Sequence, residues 1–309
     1  MNDSHLSHVE RMMTPLRSSV VGALAMAALG CHGNAVTNSQ IVAMAAIHFV
    51  NAVPDTGQMD YRVVDIASNA SLFDADFRSF NSIYKGIEAG TREIRVFNSS
   101  TDPAISSQVL WDTTFAFTQD QGYTFVHTGF ARVADQPPVR TVWIIPDTPP
   151  TPAAAQVGLR FIHAGAGIGP VDVNFLRKGS DTLPDTPLFA NVAYGSAATY
   201  SLMPHDSFTV TTTSTAVTFT YYDTLRVVVT ATGTKTPLLF AATVAPLGIP
   251  GYRDPLTQED LNPVPGTAVP GTVLTALLVP RSVVGSPAVQ FATPTVLYFV
   301  DKRPPNTAP

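Results

Sequence analysis

Beyond residue 40 the hydrophobic positions recur in short runs and never at sustained helical spacing. Clusters of Val, Ile, Thr, Tyr and Phe are separated by Pro, Gly, Asn and Asp. Met59-Asp60-Tyr61-Arg62-Val63 alternates with a period of two, and so does Val171-Asp172-Val173-Asn174-Phe175. Successive side chains of a strand point to opposite faces, so each segment is expected to have one buried and one solvated face. Over residues 209–236, 12 of 28 residues are Thr. Thr is β-branched and favours strands, and the interleaved Val210, Val217, Phe219, Tyr221, Leu225 and Val227 supply the apolar positions a disordered stalk lacks. The pattern predicts an all-β sandwich or barrel.

The pattern occurs twice. Ile47-His48-Phe49-Val50-Asn51-Ala52 matches Leu159-Arg160-Phe161-Ile162-His163-Ala164, and Gly57-Gln58-Met59-Asp60 matches Gly169-Pro170-Val171-Asp172 at the same offset. Leu72-Phe73 then falls on Leu188-Phe189, and Ser82-Ile83-Tyr84 on Ala198-Thr199-Tyr200. Thr141-Val142-Trp143-Ile144-Ile145 matches Thr295-Val296-Leu297-Tyr298-Phe299. These correspondences predict two separate sandwich domains of matching topology, at 41–150 and 156–303. A stiff Pro-rich linker at 151–155 joins them, and 304–309 is a Pro-rich tail. The second domain is longer, with the excess expected mostly in a loop at 246–271 that holds Pro250, Pro255, Pro263, Pro265 and Pro270. Extra length on a fixed scaffold is where function is usually added. Tyr252, Arg253, Asp254, Glu259 and Asp260 of this loop are therefore the candidate binding residues.

The N-terminal segment has a different character. Residues 20–29 are uncharged and mostly apolar, Arg17 stands before them and Gly30-Cys31 follow. A basic start, a short apolar stretch and small residues at its end are the marks of an export signal. The stretch is too short to span a membrane, which takes about 20 residues. Ala28-Leu29-Gly30-Cys31 resembles a bacterial lipobox, whose cysteine becomes the lipidated first residue of the mature protein. Residues 1–31 are thus expected to be a signal peptide, Cys31 the lipidation site and 32–40 a tether. Asp3, His5, His8 and Glu10 are unusual ahead of such a signal, and Met12 and Met13 offer alternative starts. His32, not Asp, follows the cysteine, which under the lipoprotein resemblance implies the outer membrane. The expected location is the outer membrane or cell surface by lipid anchor, otherwise periplasmic or secreted.

Composition narrows the partners. Lys plus Arg number 18 against 23 Asp plus Glu, a formal net charge of −5, and charged residues are 13% of the chain. An acidic chain without a Lys/Arg cluster is not expected to bind nucleic acid. One Cys allows neither an internal disulfide nor a Cys-based zinc cluster. Gly165-Ala166-Gly167-Ile168-Gly169 is followed by Pro170 and a strand, so it reads as a loop rather than a phosphate cradle. His32, His48, His127, His163 and His205 stand at no metal-ligand spacing, and His48 falls on Arg160 in the repeat. His163 is placed to meet Asp172 at a strand end. Asp74 and Asp76 would share a strand face, but Ala190 and Val192 stand opposite them in the repeat, which favours a surface loop. No Gly-x-Ser-x-Gly elbow occurs, and Asp254, Glu259 and Asp260 match no calcium-loop spacing. Trp111, Tyr221, Tyr222 and Tyr252 are candidates for a sugar platform, although period two sets Tyr221 and Tyr222 on opposite faces. No cofactor, metal or catalytic residue is expected.

The repeated elements resemble the bacterial domain of unknown function 4397 (DUF4397). Its opening strand is similar to Leu159-Arg160-Phe161-Ile162-His163-Ala164, followed by a Val171-Asp172-Val173 strand and a stretch like residues 188–196, then Tyr200. The family's Gly-containing turn falls on Glu88-Ala89-Gly90-Thr91, whereas the second copy has Pro204-His205-Asp206-Ser207 there. Arg78-Ser79 stands where the second copy has Tyr194-Gly195. The resemblance covers both segments in tandem. It implies an exported sandwich with immunoglobulin-like or transthyretin-like packing and no catalytic residues. The function expected is that of a non-catalytic, lipid-anchored cell-envelope protein, a structural or partner-binding module whose partner is an envelope protein or surface polymer. A carbohydrate or surface-polymer binding module is the alternative, and a hydrolase with a site between the domains a third.

Overall fold

The computed structural model describes residues 42–66, 71–177, 181–214 and 217–306. Cys31 and the predicted signal lie outside them. Strands dominate, as the alternation and the β-branched runs require. In the first half β1 (Met44–Ala52), β4 (Lys85–Glu88), β7 (Gly122–Thr128) and β8 (Thr141–Asp147) form a sheet in the order β4-β1-β7-β8. β2 (Met59–Val63), β3 (Ser71–Ala75), β5 (Gly90–Asn98) and β6 (Val109–Phe117) form another, ordered β3-β2-β5-β6. Alternate residues enter the space between the sheets, where Ile47, Phe49, Tyr61, Ile94, Val96 and Phe125 are fully buried.

The second half repeats this order. β9 (Gln156–His163), β12 (Ser201–Pro204), β19 (Val273–Val279) and β20 (Thr295–Lys302) form the sheet β12-β9-β19-β20. β10 (Val171–Arg177), β11 (Phe189–Val192), β15 (Leu225–Ala231) and β16 (Pro237–Val244) form β11-β10-β15-β16. β1 pairs in parallel with β7, and β9 in parallel with β19. The chain is an all-β protein of sandwich architecture. The extra length of the second half is divided. Part is the hairpin of β13 (Thr209–Ser214) and β14 (Val217–Tyr222), which accounts for the Thr-rich run. The rest lies between β16 and β19 and carries the short pair β17 (Tyr252–Arg253) and β18 (Asp260–Leu261).

Two expectations fail for physical reasons. The sandwiches are not separate, because residues 43–309 form one compact unit. Val50, Ala52 and Val126 pack with Ile162, Leu277, Val279 and Phe299 in a third apolar cluster shared by the halves. The β1 and β9 sheets are therefore covered on both faces. Nor do β2 and β10 have a wet face: Asp60, Asp172 and Asn174 are buried with their apolar neighbours. These are central strands, and their polar side chains take backbone amides. Asp60 accepts from the Asp74 amide at 2.9 Å, Asp172 from those of Asn191 at 2.7 Å and Gly233 at 2.8 Å, and Asn174 from that of Leu188 at 3.1 Å.

Those bonds correct the alignment. Tyr61 pairs with Leu72 and Val173 with Phe189, so Leu72 corresponds to Phe189, one residue off the sequence match. Asp74 then stands for Asn191, both at φ 49°, and Arg78 at φ 74° stands for Gly195 at φ 84°. Phe77-Arg78, not Arg78-Ser79, thus replaces Tyr194-Gly195. A side chain is strained in this left-handed region, which Gly enters freely. Contacts to the other half offset the strain at Arg78. Its guanidinium donates to the carbonyls of Pro280, at 2.6 Å, and Thr293, and lies 4.2 Å from the centre of the Phe291 ring.

A buried polar cluster and an exposed hairpin as candidate functional sites

Between the halves, equivalent strand positions bring equivalent polar groups together. Register sets Thr124 of β7 beside His48 of β1, and Thr275 of β19 beside Arg160 of β9. Asp147 ends β8 and Asp301 is near the end of β20, while Tyr84 and Tyr200 stand just before β4 and β12. Tyr84 donates to Asp147 at 2.8 Å, and Tyr200 to Asp301 at 2.9 Å. Thr124 donates to Asp147 at 2.9 Å and Thr275 donates to Asp301. Arg160 bonds Asp147 at 2.6 Å, lies 3.6 Å from Asp301, and donates through Nε to Thr275 at 2.7 Å. Both carboxylates and the guanidinium are almost wholly buried.

The symmetry breaks at one position. Where the second half has Arg160, the first has His48, stacked on Tyr84 at 3.9 Å and donating from Nδ1 to the Asn81 carbonyl at 2.8 Å. Burial holds the His48 pKa down to about 4, outweighing that hydrogen bond, so the ring is neutral at pH 7. One guanidinium therefore faces two carboxyl groups. Burial pushes Asp301 up to about 6, with Arg160 opposing the rise and Asp147 adding to it. Burial works against the Arg160 charge too, but Asp301 and Asp147 outweigh it and raise its pKa. Burial and the neighbouring carboxylates raise Tyr84 and Tyr200, so both phenols stay protonated. A cleft of about 470 Å³ opens beside this cluster, lined by Tyr84, Asp120, Gln121, Asp147 and Asp301 among others. The Thr and Tyr hydroxyls all donate to carboxylates, and Arg160 joins the two sets across the halves.

The candidate loop residues are at a different place. Tyr252, Arg253, Glu259 and Asp260 are exposed on the β17–β18 hairpin, where Tyr252 pairs with Leu261 and Arg253 with Asp260. Asp254 shapes the turn: its side chain accepts the amides of Leu256 at 2.7 Å and Thr257 at 3.1 Å. The hairpin is narrower than 246–271, because Thr267, Ala268 and Val269 are buried. Its neck is closed by an Ile249–Val264 bridge and by Gly248 against Gly266, where an added Cβ would sit 2.1 Å from the Gly248 nitrogen. Apolar side chains are exposed along it: Leu256 is 91% exposed and Tyr252 53%, and Ile249 at the neck is 56% exposed.

The other candidates are dispersed. His163 does not meet Asp172. Its Nε2 donates to the Gly169 carbonyl at 3.0 Å, its Nδ1 accepts the Gly165 amide at 3.1 Å, and so it pins the Gly-rich loop between β9 and β10. His127 shares a 3.2 Å hydrogen bond with Tyr61 inside the first core. Trp111 is half-buried against that core, and Tyr222 is half-buried with its ring 5.9 Å from that of His205. Among the described residues no three His, Cys, Asp or Glu converge as metal ligands. Asp147, Asp301, Tyr84, Tyr200, Thr124 and Thr275 escaped sequence reasoning as a site. The signal was present: extending the match of the last strands by two residues pairs Asp147 with Asp301.

Fold and site together define an all-β protein of two like-ordered, eight-stranded sandwiches clamped through a buried ionic cluster. Residues 45–174, from β1 into β10, match the family described as Domain of unknown function (DUF4397). No curated protein matches the chain.

Proposed function

We propose that this chain is a non-catalytic cell-envelope protein that is exported, anchored through a lipidated Cys31, and binds a partner through the β17–β18 hairpin. The observation that carries the binding role is the exposure of Tyr252 and Leu256 on an insertion that the first sandwich lacks, with Ile249 exposed at its neck. Exposed apolar side chains on an inserted hairpin favour a protein partner. A sugar platform has less support, since Tyr252 is the one exposed ring among Trp111, Tyr222 and Tyr252. The anchor rests on the Ala28-Leu29-Gly30-Cys31 sequence.

Replacing residues 250–262 by a short Gly-Ser turn is expected to shift Tm by no more than about 3 °C, because only exposed or half-buried residues are lost. The envelope partner crosslinked by the wild type should disappear, and Leu256→Asp should have the same effect. Undiminished crosslinking by both variants refutes the hairpin as the binding element. Cys31→Ser should move the protein from the membrane to the soluble fraction. A variant that stays in the membrane, with no acyl mass on the wild type, refutes the anchor.

A further inference from the structure

We infer that β6 is a self-pairing edge, through which two copies of this chain join antiparallel along residues 111–117 and merge two four-stranded sheets into one. This assignment is independent of the hairpin. β6 is the last strand of its sheet, with β5 as its neighbour on one side. Along its other side residues 111–117 have no backbone partner among the described residues. The chain itself fixes the ends of that stretch. Arg140 donates to the Leu110 carbonyl at 3.1 Å, and the Thr118 amide donates to the Tyr123 hydroxyl at 3.0 Å. A row of unpaired amides and carbonyls is a template for another strand.

Among the described residues, the other edge strands of the four-stranded sheets are each short or guarded. β3, β4, β11 and β12 have four or five residues. β8 carries Pro146, β16 begins with Pro237 and β20 ends in Lys302. Pro cannot donate to a ladder, and an edge Lys resists being covered by one. β6 has nine residues, with no Pro and no Lys. Its one charge, Asp112, is answered within its own sheet by Arg95 at 3.0 Å. The sequence of the stretch selects a second copy as the occupant. Read antiparallel to itself about Thr114, it sets Trp111 opposite Phe117, Thr113 opposite Phe115 and Asp112 opposite Ala116. Aromatic and β-branched side chains then meet on the less exposed face of the strand, and the two aspartates stay apart. Such a two-fold contact is isologous, so it closes at the dimer and does not grow into a fibre.

The test is sedimentation of the full chain over a dilution series, with reductant present so that Cys31 cannot join copies. A monomer–dimer equilibrium is expected. Thr114→Lys should weaken the dimer about tenfold or more, because it sets two ammonium groups opposite each other at the two-fold axis. Within one copy the new side chain is exposed and stands opposite Glu93 of β5, so the sandwich keeps its fold. Thr114→Glu should weaken the dimer likewise. An equal mixture of the two variants should restore it, a rescue that needs residue 114 to meet residue 114. Thr236→Lys, also exposed but away from β6, should change nothing. Amide exchange is the second readout. Alternate amides of an edge strand face away from its neighbour, so every second amide from Trp111 to Phe117 should slow on dimerisation. A chain that stays monomeric throughout, a dimer that Thr114→Lys leaves intact, or slowed exchange without alternation would each overturn the proposal. Slowing of these amides in a monomer, only once the partner crosslinked by the hairpin is added, would assign the edge to another protein and overturn the second-copy assignment.

Discussion

Arg160→Met is expected to destabilise the protein by about 3–5 kcal/mol at pH 7, the usual cost of breaking a buried ion pair from one side. The substitution keeps much of the side-chain volume and removes the one guanidinium among the described residues that pairs with Asp147 and Asp301. Two carboxyl groups then remain in a place water scarcely reaches. The Thr and Tyr donors still satisfy some lone pairs but supply no charge. Adding Asp301→Asn in the same background should recover a substantial part of the loss, because it removes the charge that Arg160 balanced. Urea unfolding of the four proteins, wild type, both single variants and the double, gives the coupling directly. A loss below about 1 kcal/mol for Arg160→Met would show that the pair is solvated.

Acidification from pH 7 to pH 4 should weaken the fold by about 3 kcal/mol, the difference between opposed titrations. Burial holds His48 down to about 4 and His127 down to about 3, against 6.5 in the unfolded chain. Below pH 6.5 the unfolded chain binds protons that the folded chain refuses, so stability present above pH 6.5 drains away as the pH falls. Each histidine accounts for about 3 kcal/mol by pH 4. His163, also lowered by burial, acts in the same sense. Asp301 opposes them. Its pKa is raised from 3.8 to about 6, so the folded chain takes up this proton first and gains stability as the pH falls through that window. That gain is about 3 kcal/mol, roughly one histidine's worth. Urea unfolding at pH 7, 5.5 and 4 measures the balance. Equal or greater stability at pH 4 would show that the two rings are open to water in the folded state.

The strands were legible where period two was clean or where Thr and Val ran together, as over Met59–Val63 and the stretch that became β13, β14 and β15. The repeat also located the partner strands, because equivalent strands kept their apolar spacing. The union of the halves was harder to read. In β1, Ile47 and Phe49 face one core while Val50 and Ala52 face the other. Such a run says that both faces are covered, but not by what. The register at β3 was missed because Leu72-Phe73 and Leu188-Phe189 are the same dipeptide one step out of register, while the true match, Asp74 with Asn191 at the same positive φ, leaves no mark in a hydrophobic pattern. Proline content and length marked Tyr252, Arg253, Glu259 and Asp260 as loop residues, and they are exposed. Their hairpin was invisible, since strands of two residues carry no periodicity. The ionic cluster was overlooked because its members lie far apart in sequence. The mismatch of His48 with Arg160 argued against a shared metal site, whereas here it sets the charge of the cluster.

The parallel pairing of β1 with β7 and of β9 with β19 dictates an order of events during synthesis. Each leading strand must wait for a partner made much later, so closure is non-local and slow. Once β8 has emerged the first sandwich can close, yet Val50, Phe80, Val126 and Trp143 still lack the cover that Ile162, Leu277, Leu297 and Phe299 will bring. A ribosome stalled after β8 has emerged and before β19 has would therefore carry a closed but adhesive half. The interval between residues 147 and 302 is the period in which the nascent chain most needs a chaperone, or most readily sticks to a second unfinished copy of itself.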